Sequence, residues 1–133
     1  MGILDRLKSK KEKHDNKKKQ RTIVTNLEKI CGDDKETYEA LRGTMYLKPK
    51  KIGMLSDEAE KKAKEFEKQG NTLKAKLWYE SAGRLAIYEG DVSKVKKYFE
   101  KCAKLSPDSS YLILRNPDKA VKRAQEYYQK YLT

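Results

Sequence analysis

The chain has 133 residues, of which 39% are charged, and its 32 Lys and Arg against 20 Asp and Glu leave a formal net charge of +12. This length suits one domain with one core rather than two large domains. Runs of β-branched or aromatic residues are missing, which argues against any sheet and predicts an all-α protein. His14 is the one histidine, which argues against a histidine-based metal site or a nucleophile–histidine pair.

The two cysteines and the lack of an apolar span set the expected compartment. Cys31 and Cys102 lie far apart in a chain without a signal peptide. No apolar stretch approaches the roughly 18 residues that a bilayer span requires. We therefore expect a cytoplasmic protein in which both thiols are reduced core residues.

The excess of positive charge predicts an anionic partner, because nucleic acid, an anionic membrane and an acidic protein are all attracted to such a surface. Abundant Lys and Glu are also typical of thermophile proteins, in which they form solvated surface networks. That alternative accounts for the number of charges but not for the excess of Lys over Glu.

The first 21 residues are predicted to be a basic tail. Residues 1–20 hold eight Lys or Arg and three acids, and Met1, Ile3, Leu4 and Leu7 are their only sizeable apolar groups. Cations of this kind neutralise phosphates with little sequence preference. The candidate nucleic-acid-binding residues of the tail are Arg6, Lys8, Lys10, Lys11, Lys13, Lys17, Lys18, Lys19 and Arg21. Two alternatives are an amphipathic anchor on anionic lipid over residues 1–13 and a solvated tail without a ligand.

Two short helices follow the tail. Apolar residues three and four positions apart predict a helix over 22–30 that ends at Gly32. Asp33, three residues before Glu36, predicts the cap of a second helix that continues to Met45.

A basic linker over residues 47–55 separates these helices from the rest of the chain. Pro49 ends the second helix, because the residue before a proline is disfavoured in α-helical conformation. Lys48, Lys50 and Lys51, close to Tyr46, complete the candidate nucleic-acid-binding residues.

Further helices are predicted over residues 56–133. Ser56 is the expected cap of the first, which ends at Gly70. The next, over 71–89, is apolar on more than one face, which is typical of a helix buried between neighbours. The remaining predicted starts are Asp91 for the following helix, Ser106 and Pro107 for a short helical turn, and Asn116 for the last helix.

A repeat with a spacing of 20 residues is the strongest sequence feature. Residues 70–80 are matched by residues 90–100, and each copy has a glycine, a capping Asn or Asp, and a helix with a small residue and an aromatic on one face. Such a unit is typical of stacked helical arrays, in which no single helix buries its apolar face alone.

These residues resemble the tetratricopeptide family. Segment 90–108 is similar to the second helix of that repeat and its closing proline, and Tyr79, Ala82 and Gly83 match the first helix, with Gly83 at the family's close-contact position. The resemblance covers residues 57–108. It implies about one and a half repeat-like units, too few for the extended peptide-binding groove of longer arrays. An ordinary helical bundle with similar packing is the alternative.

Catalytic signatures are not found in the sequence. The glycines are isolated, so there is no phosphate-cradling loop, and most carboxylates stand beside lysines at the spacing of caps and surface ion pairs. We therefore expect no catalytic residue, no metal site, no cofactor and no small-molecule substrate.

The sequence thus predicts a non-catalytic binding protein, an antiparallel helical bundle or short tetratricopeptide-like array, organised as a tail over 1–21, two helices and a linker over 22–55, and a helical unit over 56–133. RNA within a ribonucleoprotein or ribosome is the first expected partner. The alternatives are an adaptor for an acidic protein or peptide and a peripheral membrane adaptor anchored by residues 1–13. The candidate protein-partner surface consists of Lys74, Lys76, Arg84, Lys94 and Lys96.

Overall fold

The regular structure is helical throughout the part of the chain that a computed structural model describes, residues 26–132. The helices are α1 over residues 26–31, α2 over Lys35–Arg42, α3 over Ser56–Lys68, α4 over Thr72–Glu89, α5 over Val92–Leu105 and α6 over Pro117–Tyr131, with 3-10 helices at Pro49–Lys51 and Leu112–Arg115. The predicted all-α bundle is confirmed.

Helix α4 lies at the centre, with α3 and α5 packed against it. The two connections are built alike, as the repeat predicted: Gly70 and Gly90 have φ of +75° and +76°, a region that favours glycine. The side chains of Asn71 and Asp91 then accept hydrogen bonds from the backbone N–H groups three residues on, at 3.2 and 3.1 Å. These caps satisfy donors that a helix start leaves unpaired.

The remaining helices close over one end of this three-helix layer. Helix α2 packs on α6 and on the second 3-10 helix, and α6 also contacts α4 and α5. Both cysteines are buried in the resulting core, as predicted. Burial raises the pKa of Cys102 to about 12, so its thiol stays protonated and unreactive at neutral pH.

Several predicted helix boundaries are wrong. Helix α2 ends at Arg42 with Gly43 as its C-cap, so it neither continues to Met45 nor is ended by Pro49. Helix α2 is capped by Asp34 rather than Asp33, because Gly32, with φ of +61°, and Asp33 form the turn after α1. Ser106 does not begin a helical turn. It ends α5, with its N–H donating to the carbonyl of Cys102, and the 3-10 helix begins only at Leu112.

Gly83 marks the closest approach between α4 and α5. A Cβ at this position would lie 2.6 Å from Cε2 of Phe99, well inside van der Waals contact. Glycine within a helix costs about 1 kcal/mol relative to alanine. The phenylalanine ring occupies the space that a side chain would need, which explains a glycine in mid-helix.

We expect Gly83→Ala to destabilise the protein by about 1–2 kcal/mol, because the overpacking against Phe99 outweighs the gain in helix propensity. Urea unfolding followed by circular dichroism measures the change. Gly43→Ala is the matched control, since nothing lies within 4 Å of a Cβ there. Equal stability of Gly83→Ala and Gly43→Ala would show that α5 can move away at no cost.

Candidate anion-binding surface

The 47–55 loop, which joins α2 to α3, presents both apolar and cationic groups to solvent. Leu47, Ile52 and Leu55 leave 36%, 42% and 62% of their surface exposed. Lys48, Lys50 and Lys51 are exposed between them. No acidic residue occurs within the loop. Cations and exposed aliphatic groups are therefore concentrated in one short segment.

The three lysines of the loop carry uncompensated charge. Within residues 26–132, none of them takes part in an ion pair, as is true of other exposed lysines such as Lys68 and Lys104; the lysines that do are Lys64, Lys76, Lys94, Lys97, Lys101 and Lys119. Opposite charges within the protein would screen a lysine from an anionic ligand. The loop lysines are free of that competition.

Proline geometry determines how the loop is presented. Pro49 occupies the first position of the 3-10 helix, and the preceding Lys48 is held at φ −130° and ψ 67°, outside helical conformation. Pro49 is buried while its lysine neighbours are exposed. The ring therefore anchors the turn and the charged side chains lie on its outer side.

Hydrogen bonds fix both ends of the loop to the helical bundle. On the α2 side, the hydroxyl of Tyr128 donates to the carbonyl of Tyr46 at 2.6 Å, and the Arg84 guanidinium lies 5.5 Å from the centre of the Tyr46 ring. On the α3 side, the N–H and hydroxyl of Ser56 both donate to the carboxylate of Glu89, at 2.8 and 2.6 Å. The loop is held in place before any ligand arrives.

This second contact corrects the prediction that Ser56 caps α3. Ser56 is the first residue of the helix, Leu55 precedes it, and Leu55 has no side chain that could accept a hydrogen bond. A carboxylate from the end of α4 takes over the role that a capping side chain normally has. Sequence alone could not find this pair, because its members are 33 residues apart.

A shallow cleft of about 240 Å³ lies beside the loop. Its lining residues are Pro49, Lys50, Gly53, Met54, Leu55, Glu58 and Tyr88. Glu58 places an acid at the wall, opposite in sign to Lys50, so the cleft itself is not uniformly positive. The lysines on the outer side of the loop are the stronger attraction for an anion.

The predicted protein-partner surface is divided by the structure. On one side of α4, Lys76 contacts Glu80 and Ser109, and Arg84 contacts Glu80. The ammonium of Lys74 lies 5.3 Å from the centre of the Phe66 ring. On α5, Lys94 pairs with Asp57 of α3, and Lys96 is exposed. The five predicted residues therefore do not form one free basic face.

Lys94 belongs to a row of ion pairs that joins α5 to α3. Its Nζ lies 2.8 Å from Asp57, and further along the helices Lys97 and Lys101 lie 2.8 and 2.9 Å from Glu60 and Glu67. Because α3 carries the acids and α5 the lysines, the two helices neutralise each other across α4. The lysines of this row are engaged in ion pairs between α5 and α3, so their charge is less available to a partner.

The tail residues predicted to bind nucleic acid lie outside the described residues, as does the predicted amphipathic segment 1–13. They are Arg6, Lys8, Lys10, Lys11, Lys13, Lys17, Lys18, Lys19 and Arg21. They remain predictions from sequence.

The sequence prediction missed the exposed aliphatic residues of the loop. A signal was available: Leu47, Ile52 and Leu55 lie in a segment without acids that Pro49 and Gly53 interrupt, so no continuous helix face accounts for them. Tyr46, which the sequence places beside these lysines, is half-buried, and its ring lies 5.5 Å from the guanidinium of Arg84.

Searches for other functional features of the described residues are negative. No group of His, Cys, Asp and Glu within 26–132 has the arrangement of a metal site. None of the described helices is both long and apolar enough to cross a membrane. Comparison with protein-family models, with curated proteins and with solved structures found no match for the chain.

Glu89→Gln is expected to lower the free energy of unfolding by about 1 kcal/mol, because charge-assisted hydrogen bonds to the start of α3 are lost. Urea unfolding measures the change, with Glu100→Gln as a control for loss of an exposed carboxylate that has no such contacts. The double variant with Ser56→Ala should cost less than the sum of the single changes. Full additivity would contradict the contact.

Acid should weaken the row of ion pairs between α3 and α5. The Tyr79 hydroxyl donates a hydrogen bond to Glu67 at 2.5 Å, and this bond together with Lys101 lowers the pKa of Glu67 from its ordinary 4.5. Lys94 likewise lowers the pKa of Asp57 from 3.8. Carboxylates whose pKa is lowered by folding stabilise the protein at neutral pH, and this contribution is lost as pH falls through the folded pKa.

We therefore expect the free energy of unfolding to decrease from about pH 5 downward, and to decrease less steeply in Glu67→Gln. Urea titrations at a series of pH values test this. Glu65→Gln, an exposed acid on the same helix, should keep the wild-type slope. Identical slopes for all three proteins would show that Glu67 contributes nothing to acid sensitivity.

Proposed function

We propose that the protein is a non-catalytic helical scaffold that binds an anionic macromolecule, with RNA in a ribonucleoprotein as its first candidate partner. The observation that carries the proposal is the group of loop lysines, Lys48, Lys50 and Lys51, which stand within four residues of one another on an anchored loop, are exposed, and have no acid in the same segment. Free cations on an anchored loop neutralise phosphates and release counterions.

The charge distribution supports the same proposal. Nine of the 32 Lys and Arg and three of the 20 Asp and Glu fall within residues 1–25, so half of the net charge of +12 belongs to that segment. Tail and loop together would act on one extended anion, and binding of this kind depends strongly on salt. The first role of the helical bundle is then to hold the 47–55 loop in position.

We propose further that α3, α4 and α5 pack against one another as the helices of a tetratricopeptide repeat do. The close approach of the two later helices at Gly83 supports it. In this proposal the short array works as a rigid support, since one and a half units are too few for an extended peptide groove.

A second candidate partner is an anionic membrane surface. The observation that favours it is the exposure of Leu47, Ile52 and Leu55 around the same lysines. Aliphatic groups beside cations are typical of segments that lie in the lipid headgroup region. RNA recognition more often uses exposed aromatic rings, and Tyr46 is covered.

The test replaces the loop lysines together, Lys48→Gln, Lys50→Gln and Lys51→Gln, in the full chain. Binding to a labelled RNA hairpin is measured by fluorescence anisotropy over a series of salt concentrations. We expect weaker binding and a plot of log affinity against log salt that is shallower by about two to three, one unit for each lost phosphate contact. The matched control replaces Lys68, Lys104 and Lys122, which are exposed but dispersed.

A parallel experiment with phosphatidylserine vesicles separates the two partners. Leu47→Ser, Ile52→Ser and Leu55→Ser together should leave RNA binding unchanged if RNA is the ligand. Loss of vesicle binding in that variant, with RNA binding equal in the loop-lysine and control variants, would overturn the RNA proposal in favour of a membrane. Equal behaviour of all variants on both ligands would refute a role for the loop.

A further inference from the structure

Helix α4 carries an exposed apolar ridge that the bundle does not use. Leu73 and Leu77 leave 69% and 52% of their surface exposed, more than most other large apolar residues of the described chain. They stand four residues apart, so they lie above one another on one face of the helix. Two exposed leucines in register are a contiguous feature rather than isolated surface residues.

The same face of α4 is covered by the protein further along the helix. Glu80 accepts a hydrogen bond from the Tyr111 hydroxyl at 2.7 Å, and Arg84 lies against the Tyr46 ring. In the last turn, the ring of Tyr88 meets that of Tyr128 edge to face at 5.1 Å. This face of α4 is therefore covered from Glu80 onward and exposed over its first two turns.

We propose that this ridge, Leu73 and Leu77, is the docking site for an amphipathic helix of another protein whose apolar side is flanked by acidic residues. At about 100° per residue, Lys74 and Lys76 lie on the two sides of the ridge. Residues 72–79 contain no acid. An apolar ridge with one cation on each side is complementary to an apolar stripe that is flanked by carboxylates.

The lysines beside the ridge are positioned rather than free. Lys74 lies over the Phe66 ring, and Lys76 holds Ser109 at 2.9 Å and Glu80 at 3.7 Å. Their ammonium groups are thus kept close to the surface of α4. Lys74 takes part in no ion pair within residues 26–132, so its charge is available to a partner carboxylate, whereas Lys76 shares its charge with Glu80.

Charge argues against two other occupants of the ridge, namely the chain's own first 25 residues and a second copy of the chain. The chain's own first 25 residues are rich in lysine, so they would bring cations against Lys74 and Lys76. A second copy of the chain, packed ridge to ridge, would place the same lysines opposite each other. Like charges in an interface cost free energy. An acidic helix from a different protein meets neither penalty.

The small area of the ridge implies a weak and reversible complex, because stable interfaces bury considerably more surface. This proposal is independent of the loop and tail: it uses a different helix and a ligand of different class. Loss of RNA or lipid binding in the loop variants would leave it standing, and its own failure would leave the loop proposal standing.

The experiment selects binders from a displayed library of helical peptides that share an apolar i, i+3, i+4, i+7 pattern and have flanking positions randomised among Glu, Gln and Lys. The full-length protein is the target, and Leu73→Ser with Leu77→Ser is the counter-target. Both leucines are exposed, so the variant should keep the wild-type melting curve. Ile52→Ser with Leu55→Ser is the matched control for loss of exposed apolar groups elsewhere.

We expect the selected peptides to be enriched in Glu at the flanks and to bind the ridge variant at least ten-fold more weakly than the wild type or the control. Lys74→Glu with Lys76→Glu should reverse the preference toward Lys-flanked peptides. Peptides without acidic enrichment, or binding that the ridge variant retains, would overturn the proposal. Ridge-dependent dimerisation in light scattering would overturn it in favour of a second copy.

Discussion

The close contact between Gly83 of α4 and the ring of Phe99 is the constraint on which the rest of the structure depends. It brings α5 against α4 at a distance that no side chain larger than a hydrogen atom allows. Once α5 is so placed, its lysines face the carboxylates of α3, and the three helices are joined on one side by ion pairs. Helix α6 also packs on α4, and the 3-10 helix at Leu112–Arg115 packs on α2, α5 and α6.

Ion pairing also determines which charges are available to a ligand. A net charge of +12 suggests a uniformly basic surface, but α3 supplies acids in register with the lysines of α5, and Glu80 is surrounded by Lys76, Arg84 and the Tyr111 hydroxyl. Charges so paired are partly screened from outside partners. The 47–55 loop is different because it has no acids of its own and its three lysines take part in no ion pair within residues 26–132. The position of the loop lysines, rather than the total charge of the chain, therefore favours an anionic partner.

Two surfaces of different character result from this arrangement. The 47–55 loop combines free lysines with aliphatic groups and is fixed by Tyr128 at one end and Glu89 at the other. The ridge on α4 is apolar and lies one turn before Glu80, where the Tyr111 hydroxyl covers the same face of the helix. A scaffold with one anionic-ligand surface and one protein surface would bring two partners together, and each surface can be altered without touching the core.

The sequence predicted the features that depend on neighbouring residues and missed those that depend on contacts between distant parts of the chain. The helical class, the glycine turns at Gly70 and Gly90 and the caps at Asn71, Asp91 and Asn116 were predictable, because each is determined by residues within one turn of helix. The cap of α2 was misplaced by one residue because Asp33 belongs to the turn after α1, and the ion pair of Asp34 with Lys119 of α6, 2.7 Å long, was not visible in the sequence. Three features were decided only by the tertiary structure. They are the hydrogen bonds from the start of α3 to Glu89 of α4, the pairing of Lys94 with Asp57, and the exposure of Leu73 and Leu77. The physical reason is the same for all three: which helices become neighbours determines which polar groups find partners and which apolar faces stay uncovered.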